Sequence, residues 1–233
     1  MATVLTPAAD GAAARRVEII PSGKACGAEL RGVDLRALDD ASVNAIKQAL
    51  RDHLVILIRR QRITDPQLIA LGRKLGELEP PGMSIIGKPY IDEYPDILVI
   101  SNIVEAGQPK GNLGAGEAIW HTDMSYRDKP VSYAILHALE LPPSGGNTYF
   151  ANQYLAYDTL APELKKRLEG RMLIHDETYN SAGQLRKGFK EVTDPREAPG
   201  ARHPIFRTHP ITGKRALYLG RRRNGYILGL PLE

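Results

Sequence analysis

The sequence predicts a mostly β fold, a β-sandwich or jelly roll with helices packed outside it. Three observations point there. Short apolar runs of strand length recur along most of the chain, Gly and Pro clusters separate them, and the clear helical patterns near the front are few. Residues 1–15 are rich in Ala and other small residues and read as a flexible tail. Residues 18–35 carry apolar runs broken by Gly23, Gly27 and Gly32, and read as strand and turn. Asp39 or Asp40 can cap a helix whose Val43, Ile46, Ala49 and Leu50 share one face. Residues 54–58 are an uninterrupted apolar run flanked by charge, which predicts a buried strand. Thr64 or Asp65 caps a second helix, with Pro66 in its first turn and Gly76 at its end. Residues 79–93 read as a long loop, 97–103 as a strand and 105–116 as a second long loop. Strands are expected over 118–126, 131–139, 148–150 and 171–176. A helix interrupted near Pro162 is expected over 154–168, and residues 180–202 are polar. The turn Thr212-Gly213-Lys214 joins two further runs in a hairpin.

Composition narrows the function classes. Hydrophobic content of 42% and charged content of 25% are those of an ordinary globular protein with a substantial core. The net charge is only +4 and the basic residues are scattered apart from Arg221-Arg222-Arg223, so nucleic acid is not expected as the principal partner. A single cysteine, Cys26, excludes an intrachain disulfide and a thiolate metal cage, and fits a reducing compartment. No apolar run approaches the roughly 20 residues of a membrane span. No charged head precedes an apolar stretch at the N-terminus, so no secretory signal is visible and a cytoplasmic location is expected.

The most informative residues are His121 and Asp123, in the run Trp120-His121-Thr122-Asp123-Met124-Ser125-Tyr126. On a strand, side chains two apart share a face, so an imidazole and a carboxylate would project together. That is two thirds of a His-His-carboxylate facial triad for non-haem Fe(II). A bare His-x-Asp arises by chance in roughly one chain in three of this makeup, counted as any short template is counted. The alternative is a half-buried strand whose His and Asp bond each other or the backbone.

Further motifs follow in order. After Trp120-His121-Thr122-Asp123 come Pro142-Pro143-Ser144-Gly145-Gly146-Asn147-Thr148, then residues 203–214 with His203-Pro204, Arg207-Thr208-His209-Pro210 and Thr212-Gly213-Lys214, then Ala216-Leu217-Tyr218. Near the front stands Gly27-Ala28-Glu29-Leu30-Arg31-Gly32-Val33-Asp34-Leu35. In order and spacing this series resembles the taurine and phenoxyacetate-herbicide dioxygenases, from about residue 17 onward. The resemblance implies a double-stranded β-helix (a jelly roll) over residues 16–233 and dependence on Fe(II), with 2-oxoglutarate as co-substrate. It implies O2-dependent hydroxylation of a small organic acid or related metabolite, with release of succinate and CO2. It makes His121 and Asp123 iron ligands and gives Thr148 a hydrogen bond to a 2-oxoglutarate carboxylate. Association as a homodimer or homotetramer is a family habit.

The family's second iron-ligating His, and the Arg that pairs with 2-oxoglutarate, fall later than Gly229-Leu230-Pro231-Leu232-Glu233. The expectation is therefore a domain incomplete at its C-terminus. His53, His137, His175, His203 and His209 take no ligand role from the resemblance and read as ordinary surface or hydrogen-bonded histidines. Substrate contacts are sought at Asn102, at Glu117, whose carboxylate would repel a sulfonate, and at Arg221 with its two neighbours, which could attract an anion. Two other readings compete: a jelly-roll protein that binds a ligand or partner without turnover, and a β-fold module holding Zn or Ni.

Overall fold

A computed structural model describes residues 3–5, 17–79, 89–113, 120–180, 183–219 and 223–232. The chain divides into two compact units, residues 1–78 with 135–152, and residues 79–134 with 153–233.

The first unit is built on a four-stranded sheet of β1 (Thr3–Leu5), β2 (Val17–Pro21), β3 (Ala28–Arg31) and β4 (Ile56–Leu57), in that order. The first three strands pair antiparallel and β4 lies parallel to β3. Val17 and Ile19, then Ala28 and Leu30, alternate inward with a period of two. Helix α1 (Asp40–His53) turns Ala45, Ile46 and Ala49 into the same core, which Val33, Leu35, Ile63 and Leu71 complete. Its start is set locally, because the Asp39 carboxylate accepts from the Ser42 amide at 2.7 Å. Asp39→Ala is expected to cost about 1 kcal/mol, read as a lower thermal midpoint with unchanged metal and co-substrate binding. Helix α2 (Asp65–Leu75) starts at Thr64, whose amide donates to Gln67 Oε1 at 2.9 Å, and stops at Gly76. Gln61 ties the turn after β3 to the segment after β4. Its amide donates to the carbonyls of Val33 and Arg59 at 3.1 Å each and accepts from the Leu35 amide at 3.0 Å.

Residues 54–58 do not form the expected buried strand. Only Ile56 and Leu57 pair, Leu57 is exposed, and Leu54 closes α1 with φ 69°. Nor do residues 131–139 and 148–150 form strands. Leu136, Leu139, Tyr149 and Phe150 are all exposed. Their apolar, β-prone composition is real, but a strand exists only where a partner completes its hydrogen-bond ladder. Among the described residues none pairs with them. One tie holds the end of this stretch: the Asn152 side chain donates to the Ala25 carbonyl at 2.7 Å.

In the second unit, β5 (Ile100–Ser101) pairs parallel with β8 (Asn112–Leu113). Between them β6 (Val104–Glu105) and β7 (Gln108–Pro109) form a hairpin where a loop was expected. The two turn residues, Ala106 and Gly107, have φ 50° and 76°, the left-handed pair that a two-residue hairpin requires. Gly107 supplies one of these cheaply; Ala106 gives no such signal. Helices α3 (Gln153–Asp158) and α4 (Pro162–Leu168) match the expected interrupted helix. Strand β9 (Met172–Ile174) lies between β10 (Arg202–Pro204) and β13 (Tyr226–Ile227), antiparallel to both. The hairpin of β11 (Phe206–Thr208) and β12 (Arg215–Leu217) turns at Thr212-Gly213-Lys214 as expected. Leu173, Ile205 and Phe206 form the core, with Tyr157, Leu160, Leu168, Leu217 and Ile227 against it. Arg215 lies over the rings of Tyr157 and Phe206 at 5.0 and 5.3 Å and forks onto Glu169 at 2.7 and 3.2 Å.

His209 stabilises that hairpin in its neutral form, since Nδ1 accepts from the amides of Ile211 and Thr212 at 3.3 and 3.2 Å. Burial, and then the Arg207 charge, hold its imidazole below the ordinary 6.5. The unfolded chain therefore takes up this proton first. The stabilisation is complete above 6.5 and declines as the pH falls through that value toward the lower folded one. Thermal midpoints of wild type and His209→Asn at about pH 7.5 and about pH 5.5 check this, with a smaller acid loss expected in the variant.

Candidate metal centre

The segment carrying His121 and Asp123 is not a strand. Residues 123–126 form a turn in which the Ser125 amide donates to the Thr122 carbonyl at 3.4 Å and the Arg127 amide to the Met124 carbonyl at 2.9 Å. Met124 has φ 53°, a left-handed conformation uncommon outside glycine. The β-prone residues misled because turn geometry here depends on bonds to distant residues. The side chains nevertheless converge: His121 Nε2 lies 3.1 Å from Asp123 Oδ1. The His121 side chain is 25% exposed and that of Asp123 58%, so an ion can reach both.

This pair fits a ferrous ion in two respects. Neighbouring donors on an octahedral ion with bonds of about 2.1 Å lie about 3 Å apart, close to the separation of these two atoms, which here hydrogen-bond each other. One imidazole nitrogen and one carboxylate oxygen also form the borderline-to-hard donor mixture such an ion takes. Among the described residues no group of three His, Cys, Asp or Glu side chains comes together, so the described site is a pair.

The other candidate residues are distributed as follows. Thr148 lies in the first unit, exposed and outside any regular element. Asn102, inside the strand expected over 97–103, is exposed and directly follows the shorter β5. Glu117 and Arg221 lie outside the described residues. Arg223, from the same basic run, has its guanidinium 4.8 Å from the centroid of the Tyr179 ring. Trp120, which precedes His121, is 54% exposed.

Sequence reasoning missed a buried polar cluster. Ser125, His175, Asp176, Thr178, His203 and Asn224 are all buried. Asp176 accepts from the Thr178 amide at 2.8 Å and from the Asn224 side chain at 3.1 Å, which fixes the end of the arginine run beside β9. The rings of His175, His203 and Tyr218 pack together at 5.0 to 5.4 Å between centroids. Only the alternation of His203 with Ile205 along one extended run hinted at an inward histidine.

Residues 18–233 match the family model described as taurine catabolism dioxygenase TauD, TfdA family. The chain belongs to this family. As a TauD/TfdA member it is similar to pentalenolactone F synthase of Streptomyces avermitilis, at 31% identity over 90% of this chain and 72% of the relative. It is also similar to an alpha-ketoglutarate-dependent sulfate ester dioxygenase of Pseudomonas putida, at 32% identity over 92% of this chain and 71% of the relative. The crystal structure of AAD-2 in complex with Mn(II) and N-oxalylglycine superposes with a TM-score of 0.66 and 27% identity, covering 88% of this chain and 71% of that one. The TauD/TfdA chain is thus a 2-oxoglutarate-dependent dioxygenase, with Fe(II) as its metal. These relatives are named as enzymes, which favours turnover over a binding-only role.

Proposed function

We propose that His121 and Asp123 supply two protein ligands of a ferrous centre that hydroxylates a small organic acid or related metabolite. The observation that carries this reading is the 3.1 Å approach of His121 Nε2 to Asp123 Oδ1 in a chain of this family. When bound, iron with 2-oxoglutarate and O2 supplies the oxidant, so that one oxygen atom reaches the substrate C–H and the other leaves in succinate, with CO2 released. The protein's part is to bind, orient and exclude.

His121 offers the Nε2 lone pair and must be free of its proton there, while Asp123 contributes a negative charge that offsets half of the ion's. Metal uptake therefore weakens in acid. Thr148, just after Gly145-Gly146, is proposed to donate its hydroxyl to a 2-oxoglutarate carboxylate, and the surrounding domain, residues 16–233, to be a double-stranded β-helix. The short antiparallel strands of the second unit and the superposition on AAD-2 support that architecture. Asn102, Glu117 and Arg221 are proposed substrate contacts. A carboxylate at Glu117 argues against a sulfonate held beside it. A cytoplasmic homodimer or homotetramer completes the reading.

The test is 2-oxoglutarate-dependent O2 consumption across a panel of small carboxylates, sulfate esters and sulfonates, with Fe(II) supplied. The reading expects at least one carboxylate to raise the rate and to be recovered hydroxylated. A panel in which nothing is hydroxylated while O2 uptake stays at the buffer level would refute it.

A further inference from the structure

We infer that His203 is a positioning residue for the metal pair. It locks the turn after Asp123 by donating one ring N–H to two backbone carbonyls. The inference rests on His121 and Asp123 being the metal ligands.

The geometry is specific. His203 Nε2 lies 3.0 Å from the Ser125 carbonyl oxygen and 2.9 Å from that of Arg127. Both partners are acceptors only, so Nε2 carries the proton and the tautomer is set by the contacts. Between them, the Tyr126 carbonyl accepts from the Ala201 amide at 2.9 Å. Three consecutive carbonyls, those of Ser125, Tyr126 and Arg127, are thus held from the three-residue stretch 201–203. That stretch is itself rigid. Arg202 to Pro204 pair in register with β9, and the His175 amide donates to the Ala201 carbonyl at 2.8 Å. His203 is only 5% exposed, and its ring packs edge-on against His175 and Tyr218, which stack on each other.

What the anchor holds is a strained segment. Met124 stands between Asp123 and the first clamped carbonyl with φ 53°. A left-handed conformation at such a residue persists only where its surroundings enforce it. Within the turn the Ser125 amide bond is long at 3.4 Å, while that of the Arg127 amide is 2.9 Å. The two bonds from His203, with the one from the Ala201 amide between them, are what hold the backbone carbonyls after Met124 from outside the turn. Without them Met124 relaxes toward ordinary backbone angles, and the Asp123 carboxylate, two residues before Ser125, swings away from His121. The ring touches neither ligand. It acts through the backbone, so its loss degrades metal affinity before it degrades the fold.

Two substitutions separate donor from packing. His203→Phe keeps an aromatic ring beside His175 and Tyr218 and removes the N–H. His203→Gln keeps a donor near the Nε2 position and loses the ring. Trp120, the chain's only tryptophan, adjoins His121 and reports on the turn without any metal. The experiment measures fluorescence anisotropy of Trp120 in metal-free protein and affinity for Mn(II) alone, in wild type, both variants and His121→Ala. It also reads the protonation of the ring nitrogens of His203 in wild type by 15N NMR.

The expected results are a lower Trp120 anisotropy and about 10-fold weaker Mn(II) binding in His203→Phe. Both should return near wild type in His203→Gln, and the proton should sit on Nε2. A proton on Nδ1 with Nε2 bare overturns the inference, whether or not either variant folds. So does a His203→Phe protein with native circular dichroism, unchanged anisotropy and unchanged Mn(II) affinity, or equal losses in both variants. His121→Ala separates the two readings. If it binds Mn(II) like wild type, the ligand assignment fails, while anisotropy and the ring proton still decide the turn lock.

Discussion

Gly200→Ala is expected to lower the thermal midpoint by about 10 °C. Gly200 has φ 126°, and a Cβ built there would lie 2.1 Å from the His175 carbonyl oxygen and 3.1 Å from the Glu177 amide nitrogen. Both obstacles are backbone, and both are pinned. The His175 amide donates to Ala201 and the Glu177 amide to Pro199, each at 2.8 Å, so the chain pairs on either side of the glycine. No side chain can rotate out of the way. Backbone strain of about 1–3 kcal/mol adds to an overpacking cost of about 1–3 kcal/mol. Together they come to about 4 kcal/mol, a large share of the roughly 5–15 kcal/mol that holds a domain folded. Because residue 201 also clamps the turn beyond Asp123, metal affinity should fall in the same variant at temperatures where it stays folded. A midpoint within about 2 °C of wild type would mean that this close approach is not present in solution.

Asp123→Ala is expected to dissociate function from stability. The side chain is 58% exposed and sits in a turn, so the thermal midpoint should move by no more than about 0.5 kcal/mol allows. Metal affinity should fall at least about 100-fold, because losing a direct ligand costs no less than losing the partners that merely orient one. Fe(II)-dependent succinate formation should fall with it. Mn(II) titration followed by electron paramagnetic resonance, beside a thermal melt, measures both. Retained affinity would remove Asp123 from the site.

The elements legible in the sequence are those whose causes are local. Asp39 and Thr64 mark the starts of α1 and α2 because each bond there spans only three residues, the Asp39 carboxylate accepting from the Ser42 amide and the Thr64 amide donating to the Gln67 side chain. Thr212-Gly213-Lys214 marks a hairpin because its left-handed glycine is chemically distinctive. Residues 131–139 and 148–150 look like strands because strand composition is also local, but pairing is not, and none of the described residues pairs with them. The hairpin at Ala106-Gly107 was hidden for the opposite reason, since alanine adopts a conformation its composition does not advertise.

The candidate site shows the same division. The meeting of His121 and Asp123 was expected from the alternation of a strand, and it occurs through a turn instead. Close spacing let two different backbones bring the same groups together. His203 was illegible as an anchor because its acceptors lie 78 and 76 residues earlier in the chain. A histidine before a proline announces an extended backbone and nothing about what its ring will reach.

One imidazole and one carboxylate of this chain are proposed to serve a ferrous, 2-oxoglutarate-consuming centre. The deciding measurement is succinate formed from 2-oxoglutarate, with and without Fe(II), in wild type and in His121→Ala. The expected result is iron-dependent succinate from wild type and a loss of at least about 100-fold in a variant that still melts as wild type does. Equal succinate from the two proteins, or none from either with iron and O2 supplied, would contradict it.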